Sequence, residues 1–379
     1  MRQIKTKNAG ITLVGLVVTI IVLLILAGIT INLTIGEGGI IKRTQEAGKN
    51  YIEAAEKERN QLAEFLNHTD NIIANVNSGG NSTGNVPEIP KFGTTIRTEN
   101  SVNYISDGEG NEIPVPEGFK ALEGTRDTGF VIQDITTNAD GTPKDTNGNE
   151  FVWVPCTLDG ANGSIKYDRY SFGSFSNSGF SETMPSDEES CIGTYGGFYI
   201  GRYETGIADS TSLNTSTTNT QYEYTGYTGG KAVIKPNQQV WNYITRDKAK
   251  KVSEDLYKKS NGYSVNSKLC SSYAWDTALK FIENKYPTYP TDSTQGNYSD
   301  KSSTLGKPAK TGQTTAVNNI YDMGGNTWEW TTETSDRYPG TDRGGEFNNS
   351  SSSYPAAIRN SANGFDAAGH ISFRTTLYL

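Results

Sequence analysis

The chain has 379 residues and a net charge of −8, with two histidines and three cysteines among 41 glycines and 21 tyrosines. An acidic balance without a basic stripe excludes a nucleic-acid surface, and His68 and His370 cannot build a zinc site or a serine–histidine–aspartate triad. Cys156, Cys191 and Cys270 are too few and too scattered for a disulfide framework or a C-x-x-C metal site: at most one bridge forms, or all three stay as small buried apolar groups.

The first element is apolar. From Ile11 to Ile35 there is no charged residue, and at about 1.5 Å per residue the Ile11–Ile31 core spans roughly 30 Å, one hydrocarbon core. Arg2, Lys5 and Lys7 precede it and the first acid after it is Glu37, so the basic flank stays cytoplasmic and the rest of the chain is exported. A cleavable signal needs a shorter apolar run ending in a small-x-small site, and Ala27-Gly28 lies inside this one. A plain anchor fits the hydropathy but leaves the order of the start unexplained: a short basic leader ends in Ala9-Gly10 and is followed at once by Ile11-Thr12-Leu13-Val14.

That order resembles the type IV pilin and pseudopilin family. The resemblance implies a leader at residues 1–10, cut by a prepilin peptidase between Gly10 and Ile11, and a helix that packs against other pilin subunits after serving as a membrane anchor. The family's usual fifth mature residue is Glu, whereas Gly15 stands here. This departure leaves a minor pilin at a filament tip or a Gram-positive-type variant that assembles differently.

Beyond the membrane, Ile41, Tyr51, Ala54, Ala55, Leu62, Phe65 and Leu66 fall on or near one helical stripe. The pilin-like transmembrane and stalk helix therefore covers 11–70, weakened at Gly36–Gly39, since each interior glycine costs up to ~1 kcal/mol relative to alanine. Residues 71–92 collect Gly, Ser, Asn and Pro without a period and read as a linker. The remainder, 93–379, is long for one domain but suits a loop-rich α+β head.

In the head, "NNIYDMGGNTWEWTTE" (Asn318 to Glu333) places a turn before a strand in which Trp328 and Trp330 alternate with polar residues. Both tryptophans point to one buried face. The whole word resembles the signature of the formylglycine-generating-enzyme, or sulfatase-modifying factor, branch of the C-type-lectin-like fold. "FVWVP" (Phe151 to Pro155), "GGFYIGRYETG" (Gly196 to Gly206), Asn237 to Lys259, Asn266 to Glu283, "RGGEF" (Arg343 to Phe347) and "ISFR" (Ile371 to Arg374) resemble its other words in the family's order. In the second helical word, Trp275, Ala278, Leu279 and Ile282 recur at helical spacing. The resemblance covers roughly 150–379 and implies a C-type-lectin-like head.

Fold does not settle function. The family's enzymes oxidise a substrate cysteine with their own cysteine pair, placed between the Arg-Gly-Gly and Gly-Phe-Arg words. That interval contains no cysteine here, and its nearest counterparts are Asn349 and Tyr354, so the expectation is that the chain is not an enzyme. The resemblance also implies a Ca²⁺ site, with the Glu329 carboxylate and the Gly325 and Thr327 carbonyls as ligands. The other readings of Glu329 are a turn cap or a solvent-facing strand residue.

Phe347 to Leu379 lacks Lys, Glu, Gln, Trp and Met. Those five cannot be reached by changing the two adenines of an adenine-adenine-pyrimidine codon, which is the coding rule of diversity-generating retroelements. Their variable proteins are C-type-lectin-like and often end in a tail resembling "RTTLYL" (Arg374 to Leu379). A short Ser/Asn-rich binding loop would lack the same residues by composition alone. The expected ligand face is Asn348, Asn349, Ser351, Ser353, Tyr354, Asn360, Asn363, Phe365, Asp366 and His370, small hydrogen-bonders interspersed with aromatics as in antibody-like loops. Taken together, the sequence reads as an exported adhesin-like protein, membrane-anchored by a single pass or displayed on a pilus or the cell surface, that binds an extracellular protein or glycan. An enzyme related to formylglycine-generating enzyme and a purely structural minor pilin are the rivals.

Overall fold

A computed structural model describes residues 88–144, 146–208, 231–301 and 306–379. The leader, the Gly10–Ile11 cleavage site, the apolar helix, the stalk and most of the expected linker lie outside the described residues. Among the described residues no helix is long and apolar enough to cross a membrane.

The described unit begins with a small antiparallel sheet, Thr95–Glu99, Val102–Ser106 and Glu112–Pro116, in that order. Its first strand is exposed throughout. Two residues placed in the end of the linker are tied to the head: Ser106 of this sheet donates to the Pro90 carbonyl at 2.6 Å, and the Phe92 ring meets Phe130, just before Val131–Asp134, with centroids 5.6 Å apart.

The centre is a six-stranded sheet in the order Asn266–Leu269, Thr375–Tyr378, Gly197–Gly201, Glu150–Pro155, Val131–Asp134 and Phe119–Glu123, antiparallel throughout. The Phe-Val-Trp-Val word explains why both faces are covered. Phe151 and Trp153 enter one apolar cluster while Val152 and Val154 enter the other, as the period-2 alternation of a strand requires. Helices α1 (Ser186–Tyr195) and α3 (Ser272–Glu283) lie on the valine side, and α2 (Arg246–Leu256) packs Ala249 and Leu256 on the aromatic side. On α3 the Ser271 hydroxyl caps the first turn by accepting from the Ala274 N–H at 3.1 Å. Trp275, Ala278, Leu279 and Ile282 are wholly buried, forming the apolar stripe that their spacing anticipates.

The second sheet holds the carboxyl-terminal words, in the order Arg359–Ala362, Gly340–Arg343, Trp328–Thr331 and Ile371–Phe373. Its last pair is parallel, and the other two are antiparallel. After Phe373 the chain needs only Arg374 to reach the Thr375–Tyr378 strand of the six-stranded sheet. The two ends of the 344–370 stretch are held by the Gly340–Arg343 and Ile371–Phe373 strands, which flank Trp328–Thr331 on either side.

Candidate functional site

Register fixes which side chains share a face of the four-stranded sheet. Trp330 pairs with Asp342 and Asp342 with Asn360, while Trp328 and Trp330 pair with Ile371 and Phe373. These residues point one way. Glu329, Arg343, Arg359 and Ser372 point the other way.

The turn before the Trp-Glu-Trp strand is built on Asn326, whose side-chain oxygen accepts from the Ala309 N–H at 2.7 Å and from Asn297 at 3.2 Å. Gly325 sits at φ +80°, and a Cβ there would lie 2.8 Å from the Asn297 carbonyl, so no larger residue fits. Trp328 donates its N–H to the His370 carbonyl at 2.8 Å, and the Trp330 indole donates to the Ile244 carbonyl at 2.9 Å. Both rings are buried in one cluster.

On the opposite face charge is paired internally. Arg374 clamps Glu329 through Nη2 at 2.6 Å and Nε at 2.9 Å, with both side chains wholly buried. Arg343 and Arg359 share Asp276 and Glu333, and Arg169 joins at Glu333. This geometry corrects the calcium expectation and both alternatives for Glu329. The carboxylate lies inside the protein and neither caps a turn nor faces solvent, and each of its oxygens already accepts from a guanidinium. The Thr327 hydroxyl, which that expectation does not use, bonds Glu204 and, at 2.6 Å, Ser372. A site whose one charged ligand is neutralised by arginine does not fit Ca²⁺. Among the described residues, no cluster of three or more His, Cys, Asp or Glu side chains is placed to hold a metal ion.

The expected ligand residues divide in two. Asn348, Ser353, Tyr354, Asn360, Asn363 and Phe365 are exposed, and Asn349, Asp366 and His370 are half-buried. Phe365 is 76% exposed and Tyr354 43%. Ser351 is a correction: it is buried, its hydroxyl donating to Asp292 at 2.8 Å and its N–H to Asp300 at 3.1 Å, so it ties the segment down. Asn349 also anchors the segment, its side-chain oxygen accepting from the Glu346 N–H at 3.0 Å and its carbonyl from the Ser299 N–H and hydroxyl.

Two stretches of the segment rest on the core at separate points. Tyr354 meets Trp328 edge to face, and its backbone crosses so close to Gly345 (φ +74°) that a Cβ there would lie 2.3 Å from the Tyr354 carbonyl oxygen. The 363–370 stretch hangs from the approach to α2. Arg246 donates its N–H to the Gly364 carbonyl, Tyr243 its N–H to Ala368 and the Asn242 amide its proton to Gly369.

Sequence reasoning missed two acids beside this face. Asp342, 1% exposed, has its Oδ1 without a hydrogen-bond partner, and Glu346, 7% exposed, has its Oε2 in the same state. Burial pushes both carboxyls up to about 7; Asn360 hydrogen-bonds Asp342 and opposes the rise, while Asp366 adds to it. His370 leaves Nδ1 without a partner, and burial holds its ring below the ordinary imidazole value. The signal in the sequence was an acid in the middle of an otherwise buried strand word, "GTDRGGE", which burial alone makes meaningful.

All three cysteines are free and buried. Burial raises the Cys156 and Cys270 thiols well above their ordinary value and pushes Cys191 up to about 11, which is the opposite of an activated thiolate. A cleft of about 620 Å³, lined by Arg126, Trp153, Cys156, Tyr195 and Lys285 among others, involves no residue beyond Lys285 and so none of these carboxyl-terminal words.

Residues 258–378 match the FGE-sulfatase family, the sulfatase-modifying factor enzyme 1-like domain. The match covers 121 of the 379 residues, and the fold that carries it is mixed α+β. Several solved structures are similar, three of them as follows. PvdO from Pseudomonas aeruginosa is 15% identical, with 61% of this chain and 95% of that chain covered and a TM-score of 0.37. Treponema denticola variable protein 1 is 13% identical, with 62% and 98% covered and a TM-score of 0.35. CarF is 14% identical, with 56% and 96% covered and a TM-score of 0.34. No curated protein matches the chain.

Proposed function

We propose that the head is a binding module, not an enzyme, and that its ligand face is the 348–370 segment, presented by an exported chain with a pilin-type anchor. One observation carries the reading. Two large aromatics, Phe365 and Tyr354, stand exposed on a segment whose ends are fixed by core strands and whose buried members, such as Ser351, hold it in place. Phe365 offers contact area on a braced loop at low entropic cost, and Tyr354 rests on Trp328 with part of its ring left in solvent. The reading against catalysis is supported by the absence of cysteine from Phe347 to Leu379 and by the burial of Cys156, Cys191 and Cys270 elsewhere.

The same segment is the one whose residue set obeys the adenine-substitution rule, which supports its being the diversified part of a retroelement variable protein. Anchoring through Ile11–Ile31 and assembly with other pilin subunits rest on the sequence alone. The test is a protein and glycan array probed with the full-length chain, followed by Tyr354→Ala, Phe365→Ala and Asp366→Ala with melting recorded alongside affinity. Loss of binding in the aromatic variants at unchanged melting temperature supports the face; retention in all three places the site elsewhere. A cysteine-peptide oxidation assay on the wild type separates binder from enzyme, and the neighbouring DNA, searched for a reverse transcriptase with a template repeat, tests diversification.

A further inference from the structure

We propose that the binding face reaches beyond 348–370 onto the neighbouring turn, where Arg337 and Tyr338 hold a protein partner by an acidic side chain, its carboxylate on the Arg337 guanidinium. The inference rests on the reading of 348–370 as the binding face and adds a further part of that face and the chemistry it selects.

Exposure singles out the turn. Beyond residue 135, the large hydrophobic residues left exposed among the described residues are Tyr338, Tyr354 and Phe365. Two of them belong to the segment already assigned, and Tyr338, 39% exposed, is the third. Its turn joins the strands Thr334–Ser335 and Gly340–Arg343 and is braced as the segment is. The Ser335 hydroxyl donates to the Tyr338 carbonyl at 2.8 Å and accepts from the Tyr338 N–H at 2.9 Å, and the Asp336 N–H donates to the Gly179 carbonyl at 2.9 Å.

The turn lies against the segment. The Ser335 and Ser361 hydroxyls meet at 2.5 Å, and Gly340 pairs with Ala362. A Cβ on Gly340 would lie 3.2 Å from Arg246 Cδ, and one on Gly364, the residue before Phe365, would lie 3.8 Å from the same atom. The Tyr338 turn and the Phe365 loop therefore flank one arginine. The same Cβ on Gly340 would lie 3.1 Å from the Trp330 ring, so the turn returns to the sheet on its tryptophan face, where Tyr354 rests on Trp328.

Charge selects the partner. Arg246 is committed inside the protein, donating to the Thr331 and Thr332 carbonyls at 2.8 and 2.6 Å. Arg337 is exposed, with no ion pair to the adjacent Asp336 or to any other acid among the described residues, and its guanidinium carbon lies 5.0 Å from the centre of the Tyr338 ring. A guanidinium over an aromatic ring keeps its fork of N–H donors for a carboxylate, which it takes bidentately. Asp366, half-buried beside Phe365, repels a second carboxylate on its own side and directs the partner's acid toward Arg337. Aromatics carried on separate loops suit the broad contact of a protein surface, where such side chains supply most of the binding energy. The turn lies outside Phe347–Leu379, so chains that differ in that stretch would share this contact.

The experiment is selection of a phage-displayed library of random peptides on the detergent-solubilised full-length chain. The enriched peptides, synthesised with each acid and with the corresponding amide, are then titrated against the wild type, Arg337→Gln, Tyr338→Ala, Phe365→Ala and Tyr354→Ala, with melting recorded for each. Enriched peptides should carry Asp or Glu beside an apolar residue. Arg337→Gln and exchange of the acid for its amide should each weaken binding about tenfold or more, the scale of one charge-assisted contact, and the two losses should not add. Tyr338→Ala should weaken binding at unchanged melting temperature; Arg337→Gln keeps the test open if that variant does not fold. No enriched peptide, enrichment without acids, or an affinity unchanged in Arg337→Gln overturns the inference. Binding that needs Phe365 or Tyr354 but is indifferent to Arg337→Gln and Tyr338→Ala overturns the part played by the turn and leaves the 348–370 face intact. Binding that needs Arg337 but neither Phe365 nor Tyr354 overturns the face itself.

Discussion

Trp328 and Tyr354 meet edge to face, with ring centroids 5.9 Å apart and planes at 86°. One ring belongs to the core and the other is 43% exposed, so the pair is the point where the packed sheet ends and the presented surface begins. Substitution should separate the two roles. Trp328→Ala should cost about 3–5 kcal/mol, the range for a large core aromatic, and Tyr354→Ala about 1 kcal/mol or less. Chemical denaturation of both variants checks this; similar losses would show that Tyr354 is part of the core.

Arg374 and Glu329 form a buried, doubly hydrogen-bonded ion pair, and the buried acids Glu204 and Asp322 also act on Arg374. Arg374→Met should destabilise the head by about 3–5 kcal/mol because it strands the carboxylate. Adding Glu329→Leu to that variant should recover a large part of the loss. A double-mutant cycle measures it, and additive losses would mean that the two residues do not act as a pair.

Stability should fall as pH rises toward neutral. Burial lifts Glu188, Asp342 and Glu346 to about 7 in the folded head, above the ordinary carboxylate value of about 4.3 that the unfolded chain retains. A raised acid leaves its stabilisation fully present below the unfolded value and loses it as pH climbs through the folded one. Melting temperature should therefore decline between about pH 4.5 and 7 and level off above. Glu346→Gln should flatten part of that slope, and an unaltered slope in Glu346→Gln and Asp342→Asn would assign the dependence to other groups.

Mass spectrometry of the mature protein should find Ile11 as its first residue. A terminus near Ala27-Gly28, or an uncut leader, would leave an ordinary signal or anchor and remove the pilin-type reading.

Much of the head was legible because its words are contiguous. Phe-Val-Trp-Val, Phe-Tyr-Ile and Trp-Glu-Trp each declare a strand within four residues, and the α3 stripe is set by a local period. Helix α1 was missed because its sequence, Ser-Asp-Glu-Glu-Ser-Cys-Ile-Gly-Thr-Tyr, has almost no apolar face; only Glu188, Cys191 and Ile192 are buried. The Thr95–Glu99 strand escaped for the same reason, being exposed along its whole length.

The site was harder to read because burial of a polar group depends on partners far away in the chain. Glu329 finds Arg374 across 45 residues, and Ser351 finds Asp292 across 59. A serine that clips a loop and a serine that greets a ligand look alike in one dimension. The same blindness hid Asp342, whose strand neighbours decide that it is inside.

The Thr375–Tyr378 strand lies in the interior of the six-stranded sheet, between Asn266–Leu269 and Gly197–Gly201. The ribosome makes it after the segment that carries Tyr354 and Phe365, so the sheet cannot close until that segment has been translated in frame. A frameshift or premature stop anywhere in 347–370 would delete an inner strand together with the surface it supports, and the product would be a substrate for proteolysis instead of a defective binder. The order of elements along the chain thus acts as a reading-frame check: any copy that closes the six-stranded sheet has carried residues 347–370 through in frame.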